Sequence, residues 1–114
     1  MRSVMAFKKI VGIFMENYIG EVMSKYRDVS SKISEMIYDD FKKNVERLDR
    51  KTDENVFQLL QARYINELEK QLHQEVEKIV AKNNTNINVT LLRYELGNQA
   101  SYILSEYLQK AKSM

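Results

Sequence analysis

The chain contains no proline, no cysteine and no tryptophan among its 114 residues, and only three glycines. Sheet proteins need many tight turns, and tight turns depend on glycine and proline for their special backbone angles. The absence of cysteine excludes disulfide bonds, thiolate zinc sites and cysteine nucleophiles. The composition therefore favours an all-helical fold. A length of 114 residues supports one domain, which we place at residues 1–114.

An excess of charge of one sign is also missing. Eighteen basic residues face 16 acidic ones, so the formal net charge of +2 predicts no strong field that would attract nucleic acid or a membrane surface. Long apolar runs are missing as well: the run at residues 10–15 lasts only six residues. A secretory core needs about 7–15 apolar residues and a membrane span about 20. We therefore expect a cytoplasmic protein without membrane association.

What the chain does have is the apolar periodicity of amphipathic helices. Apolar residues recur at intervals of three and four, and short groups of Asn, Asp, Ser and Thr interrupt the pattern at residues 28–31, 49–52 and 83–90. This pattern predicts four helices, at residues 4–27, 29–48, 53–82 and 90–112. Short connections favour a four-helix antiparallel bundle or elongated helical hairpins, and dimerisation is one way to complete either arrangement.

The third predicted helix is long for a compact domain. Thirty residues of helix span about 45 Å, whereas a compact chain of this length has a radius of gyration of about 13 Å. The sequence thus predicts that this helix bends, that the protein is elongated, or that another chain covers the end of the helix.

The chain has few groups that could catalyse a reaction. His73 is the only histidine, and Glu69 and Glu77 lie four residues on either side of it on one helical face. A helical di-iron centre needs Glu-x-x-His pairs on two helices, so this triplet is more typical of a solvated, salt-bridged face. Asp39 and Asp40 point about 100° apart on a helix, so they cannot act together on one substrate. We predict no enzyme activity, catalytic residue, metal, cofactor or small-molecule substrate.

The first predicted helix has the broadest apolar face. Gly12 and Gly20 fall on one i+4 row, where small residues let another helix approach closely. Residues 1–27 also carry five basic and two acidic residues. Such a helix suits a dimer interface or the centre of a bundle, and a helix on an anionic membrane is a weaker alternative. We predict a partner interface formed by Phe7, Val11, Gly12, Phe14, Tyr18 and Gly20.

A basic ridge marks the end of the second predicted helix. It consists of Lys42, Lys43, Arg47, Arg50 and Lys51, three of which follow the i, i+4, i+7 spacing that lets one face contact phosphates. Interleaved acidic residues bring the net charge of residues 28–51 to zero, and basic residues at a helix C-terminus also offset the helix dipole. The leading prediction is a non-catalytic protein–protein interaction module, either a homo-oligomer such as a dimer or a small subunit or adaptor. The alternative is a small nucleic-acid-associated protein that uses the ridge.

Overall fold

Three helices make up the part of the chain described by the computed structural model, which covers residues 2–48, 53–83 and 89–113 and, for side chains, residues from 18 onward. Helix α1 spans Arg2–Val45, α2 spans Glu54–Asn83 and α3 spans Val89–Lys112. Each helix packs against the other two, with α2 antiparallel to α1 and α3 antiparallel to α2. The prediction of an all-helical fold is confirmed for these residues.

The predicted break at residues 28–31 is wrong, because these residues lie inside α1. The described part of the chain therefore has three helices where the sequence predicted four. Ser30 is fully buried, and its hydroxyl donates a hydrogen bond to the Arg27 carbonyl at 3.1 Å, which satisfies the hydroxyl without interrupting the helix. Serine lowers helix propensity by less than about 0.7 kcal/mol. Tertiary packing of the small Ser30 side chain overrides that preference.

The other helix ends follow local signals. Helix α1 finishes in a tightened turn, where the amides of Glu46, Arg47 and Leu48 bond to carbonyls three and four residues back. The amide of Phe57 bonds to the carbonyl of Asp53 at 2.9 Å, which places Asp53 at the N-cap position of α2. Helices α2 and α3 begin and end within one residue of the predicted bounds. The predicted connection at residues 49–52 lies outside the described residues, as do residues 84–88 of the connection predicted at 83–90.

The core consists of two clusters along the axis of the three helices. The cluster near the α1–α2 connection contains Ile37, Phe41, Val45, Phe57, Leu68, Leu72, Ile103, Tyr107 and Ala111. The cluster at the other end contains Met23, Tyr26, Val76, Val80, Leu92 and Leu96. Phe41 joins all three helices, since its ring centroid lies 5.9 Å from that of Phe57 and 6.3 Å from that of Tyr107. Burial of these apolar side chains supplies the main stabilisation of the fold.

Helix α1 is much longer than the helices that pack against it. Its 44 residues span about 66 Å, against about 45 Å for the 30 residues of α2. The Tyr18 hydroxyl donates a hydrogen bond to Oδ1 of Asn83, the last residue of α2. Residues 2–17 of α1 therefore project beyond that level by about 24 Å. The molecule measures 74 × 23 × 17 Å with a radius of gyration of 19.3 Å, so elongation is the outcome found among the three predicted for α2.

Candidate interaction surfaces

The predicted partner interface lies on the N-terminal half of α1. Phe7, Val11, Gly12 and Phe14 belong to this helix, but their side chains lie outside the described residues. Tyr18 is half-buried and bonds to Asn83, so it contributes to packing within the chain.

Gly20 was expected to allow the close approach of another helix, and no other part of the described chain approaches it. A Cβ atom placed on Gly20 would have no neighbour within 4 Å, and the residue is exposed. The backbone at Gly20 is ordinary helix, so the glycine is not required by a positive φ angle either. Within the described residues, no helix of the same chain packs closely at Gly20, and its place in a partner interface stays a prediction.

Helical geometry separates two apolar rows on α1. On α1, positions 23, 30 and 37 lie in the core and recur every seven residues, and position 19 lies on the neighbouring row. Steps of seven toward the N-terminus extend the first row to Glu16, Lys9 and Arg2, and the second row to Gly12 and Met5. The aromatic positions 7 and 14 lie on roughly the opposite side of the helix from these. Positions 7 and 14 are therefore not a continuation of the core row at positions 23, 30 and 37.

The basic ridge is only partly within the described residues. Lys42 and Lys43 occupy the last turn of α1 and Arg47 lies in the turn that follows, and all three side chains are exposed. Arg50 and Lys51 lie outside the described residues. Exposed Asp39 and Glu46 occupy the same end of α1, so the surface carries both signs of charge.

A polar network beside the ridge connects α1 to α2. The Tyr64 hydroxyl donates to Asp40 Oδ2 at 2.7 Å and accepts from Asn44 Nδ2 at 2.6 Å. Asn44 Nδ2 also donates to the Asp40 carbonyl at 3.0 Å. Burial and the bond to Asp40 raise the pKa of Tyr64 above its usual value. Asp40 therefore acts in helix packing and does not form a carboxylate pair with Asp39.

A groove between α2 and α3 was not predicted from the sequence. Its floor is apolar and consists of Leu72, Val76, Ala100 and Leu104, and its volume is about 320 Å³. Its rims carry Glu69, His73 and Glu77 on α2 and Arg93, Gly97 and Ser101 on α3. A Cβ atom on Gly97 would have no neighbour within 4 Å, so the α3 rim is open at this point.

An ion pair closes one end of this groove. Nη1 of Arg93 bonds to Oε1 of Glu77, and Nη2 of Arg93 bonds to Oε2 of Glu77 at 3.2 Å. The bond from Arg93 lowers the pKa of Glu77. Glu77 is thus engaged across the groove, while His73 and Glu69 are exposed. Within the described ranges, no three His, Asp or Glu side chains are grouped so that they could hold a metal ion.

A second cavity, of about 370 Å³, lies between α1 and α2 at the base of the projecting segment. Its charged lining residues are Glu21, Lys25 and Lys82, so basic residues outnumber acidic ones. Tyr18 and Asn83 line it as well, and their hydrogen bond crosses between the two helices.

The chain matches no family model, no curated protein and no solved structure. Of the helices described, none has the length and apolar character needed to cross a bilayer. Three features of the described chain are available for binding: the projecting segment of α1, the groove between α2 and α3, and the exposed part of the basic ridge.

Proposed function

We propose that the chain is a non-catalytic helical interaction protein that self-associates through the N-terminal part of α1. The observation that carries this proposal is the length of α1, which extends 16 residues past the level at which α2 ends. A single helix in water has only local hydrogen bonds and propensity to stabilise it, and most helical stability in proteins comes from burial of an apolar face.

The composition of the projecting segment supports a partner. Residues 2–17 contain three basic residues and one acidic residue, Glu16, and most of the others are apolar. The apolar row containing Phe7 and Phe14 is out of phase with the row that packs in the three-helix unit, so a simple extension of α2 or α3 would not cover it. Burial of one phenylalanine side chain in an interface is worth about 2–3 kcal/mol. Two such side chains per chain, contributed twice in a symmetric dimer, supply a substantial driving force.

Sedimentation velocity on the intact chain and on the double variant Phe7→Glu, Phe14→Glu tests this proposal. We expect the intact chain to sediment as a dimer at tens of micromolar and the double variant to sediment as a monomer. Circular dichroism should show that the three-helix unit of the double variant remains folded, because the substituted positions lie beyond the end of α2. Leu59→Glu is the matched control: Leu59 is 72% exposed on α2, and this variant should remain dimeric. A double variant that keeps the mass of a dimer would contradict the proposal.

A small nucleic-acid-associated protein is the second candidate function. The observation that favours it is the exposure of Lys42, Lys43 and Arg47 at one end of α1. Contacts of this kind to phosphates give affinity that falls steeply with salt and carries no sequence information. A gel-shift titration at low salt tests it: the Lys43→Ala, Arg47→Ala double variant should lose most of the binding. No retardation by the intact chain at low salt would contradict this candidate.

A further inference from the structure

We propose that the groove between α2 and α3 of a second copy receives the projecting segment of α1, so that each chain supplies the fourth helix of its partner. This inference rests on the proposed self-association and names its receptor. The arrangement is reciprocal, as a two-fold symmetric dimer requires, because every chain has one projecting segment and one groove.

The lengths of the two elements match. On α2 the groove runs from Glu69 to Glu77, which is about 12 Å along the helix axis, or slightly more than two turns. Phe7 and Phe14 are separated by about 10.5 Å on the same scale, and Val11 lies between them. Helices that dock in grooves use anchors at i, i+4 and i+7, the spacing of these three residues.

The shape of the groove suits a helix. Leu72, Val76 and Leu104 supply an apolar floor on which aromatic anchors can be buried. Gly97 and Ala100 make the α3 side of the groove shallow, and small residues at a contact let two helix axes come closer together. Nothing within the described chain occupies the space beside Gly97.

The charges favour this groove over the cavity between α1 and α2. Its rims carry Glu69 and Glu77 against a single basic residue, Arg93, which is already bonded to Glu77. The projecting segment is basic, with Arg2, Lys8 and Lys9 against the single acidic residue Glu16, so the two surfaces have opposite net charge.

The cavity between α1 and α2 has the opposite character. It is lined by two lysines and one glutamate, so it would repel the basic segment.

Two substitutions by leucine provide a matched test by sedimentation equilibrium. Gly97 on α3 and Ala62 on α2 are both exposed and helical, and a Cβ on Gly97 would have no neighbour within 4 Å, so leucine at either position leaves the three-helix unit folded. Gly97→Leu fills the groove and should raise the dimer dissociation constant by about 10- to 100-fold. Ala62→Leu lies outside the groove and should leave the dissociation constant unchanged.

A mixing experiment adds a positive result. The Phe7→Glu, Phe14→Glu variant keeps an intact groove, and Gly97→Leu keeps an intact projecting segment. Mixed at concentrations where each alone is monomeric, they should form a species of twice the chain mass, joined by one intact contact. Failure to form this species would overturn the inference.

The outcomes separate this inference from the proposed function. In one outcome, Gly97→Leu dimerises as the intact chain does while Phe7→Glu, Phe14→Glu is monomeric. This result would show that the segment does not bind in the groove, and it would still support self-association through α1. Loss of the dimer in Ala62→Leu alone would place the contact on another part of α2 and would also overturn the inference. An intact chain that is monomeric, including one that instead binds anionic vesicles or a different protein, overturns both.

Discussion

Removal of the hydroxyl group from two core tyrosines, Tyr26 and Tyr107, should change the free energy of unfolding in opposite directions. Tyr26 is 0% exposed and Tyr107 is 1% exposed, so both hydroxyls are shielded from bulk water. The Tyr26 hydroxyl donates to the Leu72 carbonyl at 3.3 Å, whereas the Tyr107 hydroxyl has no hydrogen-bond partner among the described residues. The Tyr107 ring itself is well packed, with its centroid 6.0 Å from that of Tyr38 in an edge-to-face contact.

The magnitudes follow from the cost of a buried polar group. A buried hydroxyl without a partner costs about 1–3 kcal/mol, so Tyr107→Phe should raise the free energy of unfolding by about 1 kcal/mol while it keeps the ring contacts. The corresponding increase in Tm is about 4 °C. Tyr26→Phe removes a satisfied hydroxyl and leaves the Leu72 carbonyl with one fewer donor, and it should lower the free energy of unfolding by about 1 kcal/mol.

Urea denaturation followed by far-ultraviolet circular dichroism measures both changes. The two variants and the intact chain should be compared at one low protein concentration, because association with a second copy would raise the apparent stability. A Tyr107→Phe variant that is destabilised as much as Tyr26→Phe would refute the reasoning, since it would show that the Tyr107 hydroxyl is hydrogen-bonded.

Three other predictions concern the core. Burial and the charge of Glu75 raise the pKa of Tyr26 from 10.0 to about 12. The neutral form of Tyr26 therefore stabilises the fold fully below pH 10, and this stabilisation is lost as the pH rises from 10 through 12. The urea midpoint of the intact chain should fall over this pH range, and the midpoint of Tyr26→Phe should fall less steeply. Phe41→Ala should cost about 3–5 kcal/mol because Phe41 is fully buried between all three helices, whereas Met36→Ala, at a residue that is 72% exposed, should change stability by less than about 0.5 kcal/mol. Ser30→Ala should be nearly neutral in thermal unfolding. Ser30→Leu should lower the free energy of unfolding by about 1–3 kcal/mol, because Ser30 is fully buried and a larger side chain in a packed core forces its neighbours to move. Equal Tm values for the two Ser30 variants would show that the site holds leucine without strain.

The parts of the fold that depend on local pattern could be predicted from the sequence. The bounds of α2 and α3 follow from uninterrupted apolar spacing flanked by polar residues. In α3, Leu92, Leu96, Ile103 and Tyr107 recur at helical spacing, and the structure buries all four. The elongation of the molecule was one of three alternatives left open by the length of α2.

The parts of the fold that depend on tertiary packing could not be predicted from the sequence. Asp and Ser at residues 28–31 are good N-cap residues in isolation, but Ser30 occupies a core position in a continuous helix. The side chain of the neighbouring apolar residue, Val29, is 38% exposed, and the polar Ser30 takes the core position. At the start of α2, Val56 is 44% exposed and its neighbour Phe57 is buried, so apolar character alone does not identify the core residue.

Of the two surfaces in the proposed dimer contact, one could be predicted from the sequence and the other could not. The apolar, basic character of the N-terminal segment is a property of its composition, so the sequence alone indicated an interface there. The groove between α2 and α3 arises from the register of two helices whose facing residues, such as His73 and Gly97, are distant in the chain. No local pattern predicts that register. The only sequence signal was Gly97 inside a helical segment, and a lone glycine does not indicate a groove.

The mass of the intact chain in solution tests the central claim most directly. Sedimentation equilibrium at tens of micromolar should give twice the 13.5 kDa mass of one chain, and the Phe7→Glu, Phe14→Glu variant should give 13.5 kDa under the same conditions. A mass of 13.5 kDa for the intact chain across this concentration range would contradict self-association through the projecting part of α1.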